Sequence, residues 1–172
     1  ESELYQQDVL QDAIDGLYNH GSQWGQEESF ITWQHLINYI SVHNRRQERD
    51  CKEKIKRLLK LLMKERFYEV FEYIPRALYL NIIKMAVMVE EEEEVQNIMH
   101  QLSENLPADE KPFLEAHAKI ATAFEAHQYL KVIQLLQDQF PKNTMEAYHD
   151  GLRLKSYRLR SALSLFDSVN HE

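Results

Sequence analysis

Apolar residues recur along this chain at steps of three and four, a spacing that gathers side chains on one face of an α-helix. Over residues 4–18 the pairs Val9/Leu10, Ala13/Ile14 and Leu17/Tyr18 make such a face. Ser2 is placed to cap this helix, Glu3 and Asp8 suit its early turns, and Gly21 is placed to stop it. A second stripe joins Phe30, Trp33, Ile37 and Ile40, widened by Leu36, with Ser29 expected as its cap. The loop between the two, 21–28, holds Trp24 between Gly21 and Gly25. Trp24 lies on no helical stripe, so it either folds back on the hairpin or faces a partner.

The pattern continues to the end of the chain. Residues 45–64 predict a third helix with Cys51, Ile55, Leu58, Leu59 and Leu62 on one face. Phe67–Ile74 predicts a short aromatic helix ended by Pro75. Arg76–Val89 is apolar nearly all round, as expected of a deeply buried helix. After a run of glutamates comes Val95–Leu102, then a turn, "LPADEKP", in which Asp109 is placed to cap the next helix. Phe113–Phe124, Tyr129–Phe140 and Thr144–Val169 complete the helical segments. "GLRLKSYRLR" alternates briefly as a strand does, but Met145, Leu152, Leu159, Leu163 and Phe166 keep a helical stripe through it. No segment makes a convincing strand, and no Asn-Gly hairpin signal occurs.

The expected fold is all-α: about seven to nine helices in irregular antiparallel hairpins, as a solenoid or a bundle. We read residues 1–172 as one domain, with an N-terminal hairpin over 1–44 and a hairpin region over 45–172. A start without Met suggests a piece excised from a larger protein.

Composition supports the pattern. Four glycines and four prolines in 172 residues call for few turns. The single cysteine, Cys51, permits no intrachain disulfide, which fits an intracellular, reducing setting. No apolar run approaches the about 20 residues needed to span a bilayer, so no membrane role is expected.

Segments of the chain also echo one another. "LLMKERFYEVFEYIP" and "TAFEAHQYLKVIQLL" each set an aromatic residue three positions before a valine, Phe67/Val70 and Tyr129/Val132. "EEEEEVQNIM" places Val95 in the same role without the aromatic. Over 51–140 the chain thereby resembles the tetratricopeptide-like helical-repeat families, with small residues at Ala118 and Ala121. The resemblance implies stacked hairpins. "EAHQYLKVIQLLQDQFPKN" is also similar to the TRF-homology dimerisation domain of telomere-binding proteins, which implies a nucleic-acid-associated regulatory dimer as an alternative function.

Charge narrows the choice of partner. The net charge of −8 argues against general nucleic-acid binding. Ten basic and four acidic residues nevertheless fall between Arg45 and Arg66, where Arg45, Arg49, Lys52, Lys56 and Lys60 share a face. Interleaved acids make protein the better partner than nucleic acid for this stripe. A second basic patch, Arg153, Lys155, Arg158 and Arg160, is free of acids. The five glutamates at 90–94 point in all directions on a helix, so they suit a solvated helix start rather than a cation site.

Signatures of chemistry are missing. Glu146 and His149 have the Glu-x-x-His spacing of di-iron bundles, but no second such pair exists. His117 and His127 stand ten residues apart, too far along a helix to share a metal. Cys51 falls on an apolar stripe, which suits core packing more than catalysis. No phosphate-binding glycine loop and no nucleophile elbow is present. We therefore expect no enzymatic activity, no cofactor and no metal, with a helical metal-dependent enzyme the least favoured reading. The expected function is a protein–protein interaction or dimerisation module, an adaptor or scaffold of an intracellular, regulatory protein. Its partner would be a protein or peptide, a second copy included, and the first contact residues Trp24, Arg49, Lys52, Lys56, Tyr68 and Tyr73.

Overall fold

A computed structural model describes residues 2–43, 48–139 and 151–170, with side chains described at 9–40, 50–138 and 154–166. The described residues form eight α-helices and no strand: α1 (Ser2–His20), α2 (Gln26–His43), α3 (Glu48–Glu65), α4 (Arg76–Val89), α5 (Glu92–Ser103), α6 (Lys111–Glu125), α7 (Tyr129–Gln139) and α8 (Gly151–Asn170). Two 3-10 turns, Gly21–Gln23 and Phe67–Val70, sit in the connections before α2 and α4.

The packing follows chain order. α2 lies on α3, α3 on α4, α4 on α5 and α6, α6 on α7, and α8 on α7 and α6. One hydrophobic core runs through the stack from Leu10 to Leu154. The α4–α5 and α6–α7 hairpins keep a common register. Ile83, Ala86, Val95 and Met99 are buried, and so are Ile120, Ala123, Val132 and Leu136, each 37 positions later. Val95 and Val132 are both the fourth residue of the hairpin's second helix. There a compact side chain lets that helix lie close on the first.

Phe67 does not belong to this register. It opens a 3-10 turn instead of a helix, and the chain then runs irregularly to Pro75. The expected aromatic helix over Phe67–Ile74 is absent because Arg66 turns into the left-handed region at φ 54°, ending α3. His127 does the same at φ 56° after α6. There the amide of Gln128 donates to the Ala123 carbonyl at 2.9 Å, the bond of a Schellman cap with His127 at the left-handed position.

Two expected caps are used differently. α2 begins at Gln26, so Ser29 lies inside its first turn, fully buried, and its hydroxyl donates to the Gly21 carbonyl at 2.8 Å. α6 begins at Lys111, and Asp109 lies two residues before it in the turn. Gly21 lies in a close approach that a side chain would tighten. A Cβ there would stand 3.1 Å from Leu17 Cδ1 and 3.5 Å from Phe67 Cζ.

The last helix departs most from expectation. Leu159, Leu163 and Phe166, three members of its apolar stripe, are exposed, and α8 instead buries Leu154 and Ser161. Met145 lies outside the described residues, as do the side chain of Leu152 and the Glu146/His149 pair. No helix of the described residues is long and apolar enough to cross a membrane.

Candidate partner-binding groove

The side face of α2, α3 and α4 encloses a groove of about 450 Å³. Its floor is apolar because each helix turns part of its buried stripe toward it: Trp33, Ile37 and Ile40 from α2, Ile55 from α3, Leu78 and Met85 from α4. Trp33 is fixed there by its indole Nε1, which donates to the Leu58 carbonyl at 2.8 Å. The edges are polar. Gln34 and Asn38 stand one turn apart on α2, Asn81 and Lys84 on α4, and Lys52 on α3; all five line the groove. Met88, 43% exposed, and the half-buried Cys51 also line it.

This arrangement offers three kinds of contact. The carboxamides present donors and acceptors suited to a peptide backbone. The methionines adapt to apolar side chains of varied shape. Lys52 and Lys84 place positive charge at the groove, and no acidic side chain among the described residues lines it. Among the described residues no group of three His, Cys, Asp or Glu side chains is placed to hold a metal ion.

The residues singled out in the sequence are spread over the molecule. Lys52 lies at the groove. Arg49 is in the first turn of α3, its side chain outside the described residues. Lys56 is half-buried and pairs at 2.8 Å with Glu90, whose carboxylate is almost wholly buried at the α4–α5 turn. That pairing raises the Lys56 pKa above its ordinary value. Tyr68 has no exposed surface. It is a core residue rather than a contact, and its hydroxyl accepts from Gln101 Nε2 at 2.9 Å. Tyr73 is 54% exposed in the connection before α4. Trp24 is 40% exposed, and its amide donates to the Gly21 carbonyl at 3.1 Å. These six do not form one surface patch.

The basic stripe of α3 is likewise divided. Lys54 pairs with Asp50 at 2.6 Å, Lys56 with Glu90, and Arg57 with Asp15 at 2.6 Å while lying over the Tyr18 ring. Asp15 and Glu90 are distant in sequence, so helical spacing within α3 gave no sign of them. The second basic patch is on α8, which packs on α6 and α7, whereas α3 packs on α2 and α4.

Sequence reasoning missed Gln34, Asn38, Asn81, Lys84 and Met88. A signal was present. Asn81, Lys84 and Met88 form an i, i+3, i+7 line on a helix otherwise apolar on nearly every side. No protein-family model matches this chain, and neither a curated protein nor a solved structure matches it.

Proposed function

We propose that this chain is a protein-interaction module that takes a peptide segment of a partner into the α2/α3/α4 groove. The segment carries apolar anchors for the floor and an acidic residue for Lys52 and Lys84. The observation that carries this reading is the combination of an apolar floor with three carboxamides and two lysines at its margin. The volume falls within the about 300–1,000 Å³ of ligand clefts. A peptide suits it better than a compact metabolite. The polar groups are strung along the margins of three helices instead of converging on one point, the layout of helix-groove peptide recognition.

The module acts by binding, with no chemistry of its own. Lys54, Lys56 and Arg57 are each held by a carboxylate, which leaves less of the stripe to face phosphates and favours protein over nucleic acid.

A random peptide library displayed against the wild-type chain and against the Lys52→Glu/Lys84→Glu variant tests the reading. Peptides enriched on the wild type should share an acidic residue beside large apolar ones. The double reversal should weaken them at least about tenfold, as loss of two complementary charges does. Absence of enrichment, or enriched peptides indifferent to the reversal, would dispose of it.

A further inference from the structure

The walls of the α2/α3/α4 groove carry their carboxamides at a spacing that an extended chain matches. α3 packs on both α2 and α4, which stand on opposite sides of the groove. Gln34 and Asn38 line it from α2, and Asn81 lines it from α4. All three are exposed, and their side chains make no hydrogen bond to the described residues. Gln34 and Asn38 are one helical turn apart, a rise of about 6 Å. Two residues of an extended chain rise about 6.6 Å. On the opposite wall Asn81 to Met88 spans about 10 Å, the length of three extended residues.

Backbone alternation decides which kind of segment uses these groups. In an extended segment the peptide groups of residues i and i+2 point to one side and those of i+1 to the other, while side chains leave alternately above and below. Laid along the groove, such a segment gives i and i+2 to the carboxamides of Gln34 and Asn38, and i+1 to that of Asn81. Each carboxamide both donates and accepts, so it matches the N–H and the C=O of one residue. Every second side chain then faces the apolar floor of Trp33, Ile37 and Ile55. A helical segment closes its backbone bonds within itself and leaves the three carboxamides only side chains to bond. Lys84, one turn beyond Asn81, is exposed and makes no ion pair with the described residues, which suits it to the segment's acidic side chain.

We propose that the groove takes its partner segment in extended form, with the backbone held between Gln34 and Asn38 on α2 and Asn81 on α4. This rests on the function proposed for the groove and adds the class of segment to it. The partner offers a stretch of alternating apolar and polar residues with an acidic one beside them, not an amphipathic helix. Main-chain bonds to the two walls supply affinity, and the alternate side chains that reach the floor supply specificity.

Two synthetic peptide pools of equal length and charge are the probes, read by fluorescence anisotropy. One fixes leucines at i and i+2 beside an aspartate. The other fixes them at i and i+4 on an alanine-rich helical frame with the same aspartate. The alternating pool should bind the wild-type chain at least about tenfold more tightly. Ester replacement of single backbone amides in its best-bound member should weaken binding about twofold to tenfold, the range of one neutral hydrogen bond. Asn38→Leu should weaken the all-amide peptide by a similar factor, with helix content by circular dichroism unchanged, and should cancel the effect of one ester. Tighter binding of the helical pool overturns the proposal, as does an Asn38→Leu effect that simply adds to that of every ester. Lys52→Glu/Lys84→Glu separates these results from failure of the groove itself. If the helical pool binds more tightly and the reversal weakens it, the groove stands and the extended form falls. If the reversal leaves both pools as they are, the groove falls and the extended form with it. Binding of neither pool up to about 1 mM, the weakest range of specific association, also overturns the extended form, and the random library then judges the groove separately.

Discussion

The indole nitrogen of Trp33 donates to the backbone carbonyl of Leu58 at 2.8 Å, tying α2 to the middle of α3 at a point where both residues are buried. Replacing Trp33 with Phe removes this bond and part of the ring that packs beside Phe30. The expected loss is about 1–3 kcal/mol, and Trp33→Ala should cost about 3–5 kcal/mol. Urea denaturation followed by circular dichroism measures both. A Trp33→Phe variant as stable as the wild type would mean that the bond contributes nothing.

The glycines should divide by their surroundings. Gly21→Ala sets a methyl 3.1 Å from Leu17, which is fully buried and has little room to yield. We expect a loss of about 1–3 kcal/mol from overpacking. Gly16 lies inside α1 with nothing within 4 Å of a built Cβ. Gly16→Ala should raise stability by about 0.5–1 kcal/mol through helix propensity alone. Thermal melts of the two variants should therefore shift in opposite directions.

Lys52 and Lys56 are one turn apart on α3 but should respond differently to charge reversal. Lys56→Glu confronts the sequestered carboxylate of Glu90 and should lower the melting temperature clearly. Lys52→Glu changes an exposed position and should move it by no more than about 2 °C. The raised pKa of Lys56 means that its contribution is present below the ordinary lysine value of 10.5 and is lost as pH rises through the folded value. Differential scanning fluorimetry of both variants at neutral pH, and of the wild type up to about pH 11, measures these shifts.

Tyr79 should make the fold sensitive to alkali. It is fully buried, and its hydroxyl has no hydrogen-bond partner among the described residues. Burial foremost, then the charge of Glu115, pushes its pKa well above the ordinary 10.0. A tyrosine whose folded pKa is raised stabilises the fold fully below its unfolded value. That stability is lost as pH climbs above about 10, where the unfolded chain ionises first. Tyr79→Phe should be neutral or stabilising by about 1 kcal/mol at neutral pH, since no bond is lost. It should also lose less stability than the wild type between about pH 9 and pH 11 in parallel urea titrations.

His127 occupies the left-handed region that glycine adopts without strain. His127→Gly should stabilise the α6–α7 turn by about 1 kcal/mol, offset in part by loss of the 2.8 Å bond between His127 Nδ1 and the Tyr129 hydroxyl. His127→Val, β-branched and intolerant of this conformation, should destabilise it. Chemical denaturation of the pair decides the sign.

Helix periodicity carries most of the fold. Arg76–Val89 is delimited to the residue, since Pro75 and the glutamates bound an uninterrupted apolar segment. The aromatic segment after α3 misleads. Phe67, Tyr68 and Ile74 have helical spacing, yet they are buried from a 3-10 turn and an irregular connection, whose shape depends on contacts with α2 and α3. In α8 periodicity detects an apolar line but does not say which of two lines faces inward. The packing on α6 and α7 decides that. The groove is legible in Lys52 and in the Asn81, Lys84 and Met88 line of α4, but not as one surface. Its other polar members come from helices distant in sequence, and nothing local marks Gln34 and Asn81 as belonging to one margin.

Every helix of this stack leans on neighbours one or two steps away along the chain, so no single contact spans the whole length. Such an arrangement has no keystone. Its stability accumulates layer by layer, and an end layer opens without dragging the centre with it. α1, held mainly by α2, and α8, held by α7 and α6, are those ends. Hydrogen exchange should accordingly be fastest in the terminal helices and slowest in α4 and α6.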